Sequence, residues 1–144
     1  MMIFYVQAPN ERPDCRLVKA FLWGDTRNVD ADGNSHNPAS RAWTELMFDP
    51  RDTHGQRFDI VAHQSEPLIL KVMADNPTLA AQVAYFLGHT TDGAVARHPD
   101  GPYLPPSAIG GQLGADFNLA AGLERVEQSP FTRATLANPY PNLH

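Results

Sequence analysis

Apolar and polar positions along the chain fall into short alternating runs, one strongly periodic helix and long polar connections. Ile3-Phe4-Tyr5-Val6 is β-branched and aromatic, stops at Ala8-Pro9-Asn10, and predicts a first strand. Arg16 to Trp23 fits a strand or a short helix, and its length and the closing Gly24-Asp25 favour a strand. Trp43 to Phe48 predicts a further strand, ending at Asp49-Pro50. Arg57 to His63 sets Phe58, Ile60 and Ala62 on one side. Leu68 to Met73 likewise groups Leu68, Leu70 and Val72. This period of two suits an antiparallel sheet with one covered face, and the short links 50–55 and 64–67 suit hairpins.

The helical signal is clearest after Asn76. Asn76 is a good N-cap, Pro77 fits the first turn, and Leu79, Ala80, Val83, Phe86 and Leu87 recur at helical spacing. A helix over about Pro77 to His89 is expected, ended by Gly88 or Gly93, with Ala94-Val95-Ala96 as a short edge strand. A second helix is expected over Asp116 to Gln128, weakened by Gly122 and stopped at Ser129-Pro130. Gly24 to Ser40 is loop chemistry throughout, because Asp and Asn side chains offer the backbone local hydrogen bonds. Phe131 to His144 reads as an extended tail wrapping the domain. The expectation is one α+β domain over 1–144: a single antiparallel sheet of about five strands, two helices packed on it, and long proline-rich loops.

Composition narrows the function classes. A chain of 144 residues buries roughly two-thirds of its unfolded surface and needs no metal or disulfide for a core. Cys15 is the only cysteine, so an intramolecular disulfide or thiolate cluster is excluded. The N-terminal run lacks the basic start and longer apolar centre of a secretory signal. No stretch approaches the roughly 20 apolar residues of a membrane span. A cytoplasmic protein without a membrane partner is expected. The net charge of −5, with only Lys19 and Lys71 as lysines and no basic cluster, argues against nucleic acid.

Candidate chemistry is sparse. Asp30-Ala31-Asp32-Gly33-Asn34 has carboxylates at alternate positions, as Ca²⁺ requires, but Ser35 and Arg41 stand where the loop needs glycine and glutamate. A hydrogen-bonded turn is the better reading. Of six histidines (His36, His54, His63, His89, His98, His144), none has the i,i+4 spacing of a helical metal pair. Asp59, His63 and Ser65 have the residue types of an acyl-transfer set, but the strand rise puts Asp59 and His63 roughly 13 Å apart. Cys15 between Arg12 and Arg16 is a candidate nucleophile, though a lone cysteine at a strand entrance is more often structural. Gly110-Gly111-Gln112-Leu113-Gly114 lacks the Lys-Ser/Thr of a phosphate loop and reads as a close backbone crossing. No catalytic, cofactor or metal residue is assigned. An enzyme would have to draw on Cys15, His54, Asp59, His63 and the Asp25–Asp32 stretch. Trp23 and Trp43 flank the long polar loop, and with Asp25, Asp30 and Asp32 they form the expected partner-contact region.

From Phe58 to Val95 the chain runs strand, turn, Pro67-Leu68-Ile69-Leu70-Lys71-Val72, then Asn76-Pro77-Thr78-Leu79-Ala80, Ala84-Tyr85-Phe86-Leu87 and Thr91-Asp92-Gly93-Ala94-Val95. This segment, about a quarter of the chain, resembles the small α+β immunity proteins of bacteria that neutralise polymorphic or type VI secreted toxins. The resemblance implies tight binding of one cognate toxin or effector protein, and transfers no catalytic residue. Joined to a cytoplasmic location, it implies a toxin that acts in the cytoplasm, such as a nuclease or a nucleotide-consuming enzyme. An accessory subunit of a larger assembly is equally compatible with these residues.

Overall fold

The computed structural model describes residues 1–143, and His144 lies outside them. Six strands form one antiparallel sheet: β1 (Met2–Gln7), β2 (Asp30–Gly33), β3 (Leu46–Asp49), β4 (Phe58–Ser65), β5 (Leu68–Ala74) and β6 (Ala94–Ala96), in the spatial order β2-β3-β4-β5-β1-β6. Three α-helices, α1 (Cys15–Leu22), α2 (Pro77–Thr90) and α3 (Leu119–Gln128), join short 3-10 turns at Pro106–Gln112 and Pro130–Arg133.

The α+β class and the single antiparallel sheet follow the alternation in the sequence. Ile60 faces Val72 and Ala62 faces Leu70 across β4 and β5, while Phe4 faces Val72 and Val6 faces Leu70 across β1 and β5. Phe4, Val6, Phe58, Ile60, Leu70 and Val72 are thereby delivered to one face, where all are buried. α2 lies on that face. Asn76 caps it by accepting from the Thr78 and Leu79 N–H groups. Both sides of α2 are covered, one by β1 and β5 and the other by the Pro106–Gln112 turn and α1, so Ala81, Ala84 and Gly88 are as buried as the expected Leu79, Val83 and Phe86. Gly88 therefore sits inside the helix. The chain leaves it through Thr91 and Asp92, whose φ is 53°, and Gly93 then lies so close to β1 that a Cβ would meet the Gln7 carbonyl at 1.9 Å.

Several expectations are corrected. Cys15–Leu22 is a helix, not a strand: Asp14 Oδ1 accepts from the Arg16 N–H at 3.0 Å and starts the first turn. Gly24, at φ 94°, ends the helix by donating to the Lys19 and Ala20 carbonyls. Asp30–Gly33 is a strand within the stretch expected to be loop throughout, which raises the count from five to six. Trp43 precedes β3, which starts only at Leu46. α3 begins at Leu119 rather than Asp116, because Asn118 caps it through the Ala121 N–H at 3.0 Å. After the Pro130–Arg133 turn the tail folds back on itself, with reciprocal backbone bonds between Thr135 and Asn138, and is not extended. Gly110 and Gly111 lie in open space, so no close crossing requires them.

Candidate functional site

The helices leave the opposite sheet face uncovered over β2, β3 and β4. The register places Asp32 opposite Met47, Met47 opposite Asp59, and Asp59 opposite Met73, with Val61 opposite Lys71. These side chains alternate with the buried set and point outward. Met47 and Met73 are half-buried and Val61 is exposed. A shallow depression between Asp32, Glu45, Met47, Asp59 and Val61 lies on this side. Towards β6 the same face closes: His63 packs edge-on against Tyr5 with ring centroids 5.2 Å apart, and Tyr5, Ile69 and Ala96 are buried.

Charge edges the uncovered part. Asp30 is opposite Asp49 across β2 and β3. Arg51 pairs with Asp30, and Arg57 pairs with Asp59 at 3.1 Å. Hydrogen bonds to these carboxylates hold Arg51 and Arg57 above the usual guanidinium value, and Asp49 adds to both fields. Nearby, the hydrogen bond from Arg27 holds the Asp52 carboxyl below its usual range. Exposed ion pairs of this kind contribute little to stability. Their effect is on the field of the surface.

The five expected contact residues have different fates. Asp30 and Asp32 lie on β2 at the margin of the uncovered face. Asp32 Oδ1 accepts from its own neighbour's N–H, that of Gly33, at 2.8 Å. Asp25 is exposed on the other side of α1's end, where it accepts from Ser129 Oγ at 3.3 Å. Trp23 is half-buried, with its ring 5.0 Å from the Arg27 guanidinium and tilted against Phe58. Trp43 is only 1% exposed and its indole N–H donates to the Pro13 carbonyl at 2.8 Å, so its ring is core rather than interface. Met47, Val61 and Met73 share this face, and their outward phase in β3, β4 and β5 is the sequence signal for it.

A separate cleft of about 460 Å³ opens on the helix-covered side, between α1 and the β2–β3 hairpin. Cys15, Arg16 and Lys19 line it from α1, Leu46 and Phe48 from β3, and Tyr140 from the tail. The Cys15 thiol is pushed above its usual value, first by burial and then by the Asp14 charge. That is the reverse of what a nucleophile needs. The other enzyme candidates are not assembled. Asp59 is held by Arg57, His63 packs on Tyr5, and His54 stands exposed in the β3–β4 link. His89, Asp92 and Ser107 share a different depression, but no side-chain hydrogen bond joins them. Asp30-Ala31-Asp32-Gly33-Asn34 is a hairpin arm: Asn34 Oδ1 accepts from the Thr44 and Glu45 N–H groups. Among the described residues no group of three His, Cys, Asp or Glu is placed to hold a metal ion, and no helix is long and apolar enough to cross a membrane. Against these features, no family model, no curated protein and no solved structure matches the chain.

Proposed function

We propose that the chain is a binding protein that neutralises a cognate bacterial toxin by protein–protein contact, as the immunity proteins resembled by Phe58 to Val95 do. The observation that carries the reading is the uncovered sheet face, where Met47, Val61 and Met73 surround Asp59, itself paired with Arg57, and Asp30 and Asp32 edge the patch along β2. Protein interfaces combine apolar and charged parts. The apolar side chains supply desolvation energy, and the charged groups set orientation and speed encounter. A sheet face also suits the task because the ladder already fixes its backbone, so only side-chain rotamers are ordered on binding. The target expected is a toxin acting in the cytoplasm.

Co-expression with the product of the neighbouring toxin-like reading frame tests the reading. Cells should survive with the intact protein, and the two proteins should co-purify at a fixed ratio. Survival without any complex, or a complex that leaves the toxin active, would contradict it.

A further inference from the structure

We infer that the cleft between α1 and the β2–β3 hairpin is a binding site for a small apolar carboxylate. The inference does not rest on toxin binding: the cleft opens on the helix-covered side of the sheet and meets the face assigned to the partner only along the β2 edge at Asp32 and Gly33.

Three observations point to this ligand class. The size, about 460 Å³, is within the range of small-molecule sites. The floor is apolar, built from Val29, Ala31, Leu46 and Phe48. The polar groups around it have capacity to spare. The Asp14 carboxylate accepts from Arg16 Nε at 2.9 Å and Nη2 at 2.6 Å, yet Arg16 Nη1 is buried with no partner. Ser35 Oγ is likewise buried, with no polar partner beyond the weakly bonding Cys15 thiol beside it. Lys19 is half-buried, and among the described residues no carboxylate pairs with it. Buried polar groups are almost always satisfied, so two orphans beside an unpaired ammonium mark a place where an acceptor belongs.

Charge selects the acceptor. Asp14 already neutralises Arg16, and the Asp32 carboxylate at the rim bonds its own Gly33 N–H and makes no ion pair with Lys19. Lys19 is left as the one cation lining the cleft without a paired carboxylate. That suits a single negative charge better than a phosphate dianion. The carboxylate would accept from Lys19 and Ser35, with the apolar body on Leu46 and Phe48. The Arg16 guanidinium lies 5.4 Å from the Tyr140 ring, which also lines the cleft and is 49% exposed. The ring occupies part of the space the ligand would take, so the ligand competes with the chain's own Tyr140.

Benzoate is a suitable probe, with benzamide as its uncharged isostere, titrated into the full ¹⁵N-labelled chain and followed by amide shifts. Saturable shifts at Cys15, Lys19 and Ser35 with benzoate, and none with benzamide, are expected. Lys19→Met should weaken benzoate at least about tenfold, Lys19→Arg should retain it, and Tyr140→Ala should tighten it. A short peptide ending in a free Phe carboxylate distinguishes the sources: tighter binding than benzoate identifies a chain end, and no binding identifies a free acid. Equal binding of benzamide, non-saturating shifts, or unchanged affinity in a folded Lys19→Met variant would overturn the inference.

Discussion

Gly122 of α3 lies so close to Phe21 of α1 that a Cβ there would stand 3.0 Å from the Phe21 carbonyl oxygen and 3.1 Å from its ring. The contact joins the two helices, and Arg125 completes it by donating to the Ala20 and Phe21 carbonyls at 2.9 and 2.5 Å. In an isolated helix Gly122→Ala would gain about 1 kcal/mol from propensity. Here overpacking opposes that gain, at about 1–3 kcal/mol. Chemical denaturation should show Gly122→Ala to be less stable than the parent, whereas Ala120→Gly, free of this contact, should lose only the propensity term.

Trp43 should behave as a core residue. Trp43→Phe keeps a large ring but leaves the Pro13 carbonyl without its indole donor, and should cost about 1–3 kcal/mol. Trp43→Ala should cost about 3–5 kcal/mol. Thermal unfolding checks both. An unchanged transition with lost partner binding would instead make Trp43 an interface anchor.

Asp14 combines two duties. It caps α1 through the Arg16 N–H and is fully buried beside the Arg16 guanidinium. Removing one partner of such a pair leaves the other charge uncompensated, so Asp14→Ala should destabilise by about 3–5 kcal/mol. The double variant Asp14→Ala with Arg16→Met should recover much of the loss, and equilibrium unfolding of the three proteins measures the coupling.

Cys15 gives a pH signature. Its thiol is raised in the folded state, so the folded chain holds that proton to higher pH than the unfolded chain does. The stabilisation is fully present below the unfolded thiol value and is lost as pH rises through the folded one, by at most about 1.4 kcal/mol per pH unit. Between pH 8 and 10 the parent should lose more stability than Cys15→Ala. Iodoacetamide should also alkylate native Cys15 more slowly than the unfolded chain at pH 8.

What the sequence disclosed was set by period. β4 and β5 each repeat their apolar residues over five positions and α2 over nine, and the structure keeps all three. α1 departs from the expected strand because Leu17, Val18, Ala20, Phe21 and Leu22 are apolar almost continuously, which hides the period. The Pro13-Asp14 cap, with Arg16 and Lys19 three apart, is the helical signal in the sequence. β2 could not be read from Asp30-Ala31-Asp32-Gly33, since its strand form comes from the ladder to β3 and not from its side chains. The uncovered face is only partly legible for a related reason. Trp23 and Trp43 stand out by residue type, yet both pack against their own chain, while Met47 and Val61 reach that face through outward phase, which only the register fixes. Cys15, Lys19 and Ser35 meet across chain segments that no spacing rule connects.

Calorimetric titration of the toxin-like neighbour against the intact protein and against Met47→Lys with Val61→Lys tests the central claim most directly. Both proteins should unfold at the same temperature, because the two side chains lie outside the core. The intact protein should bind with one-to-one stoichiometry, and the double variant more than about thirtyfold more weakly. Equal affinity in a folded double variant would contradict the assignment of the uncovered sheet face as the neutralising surface.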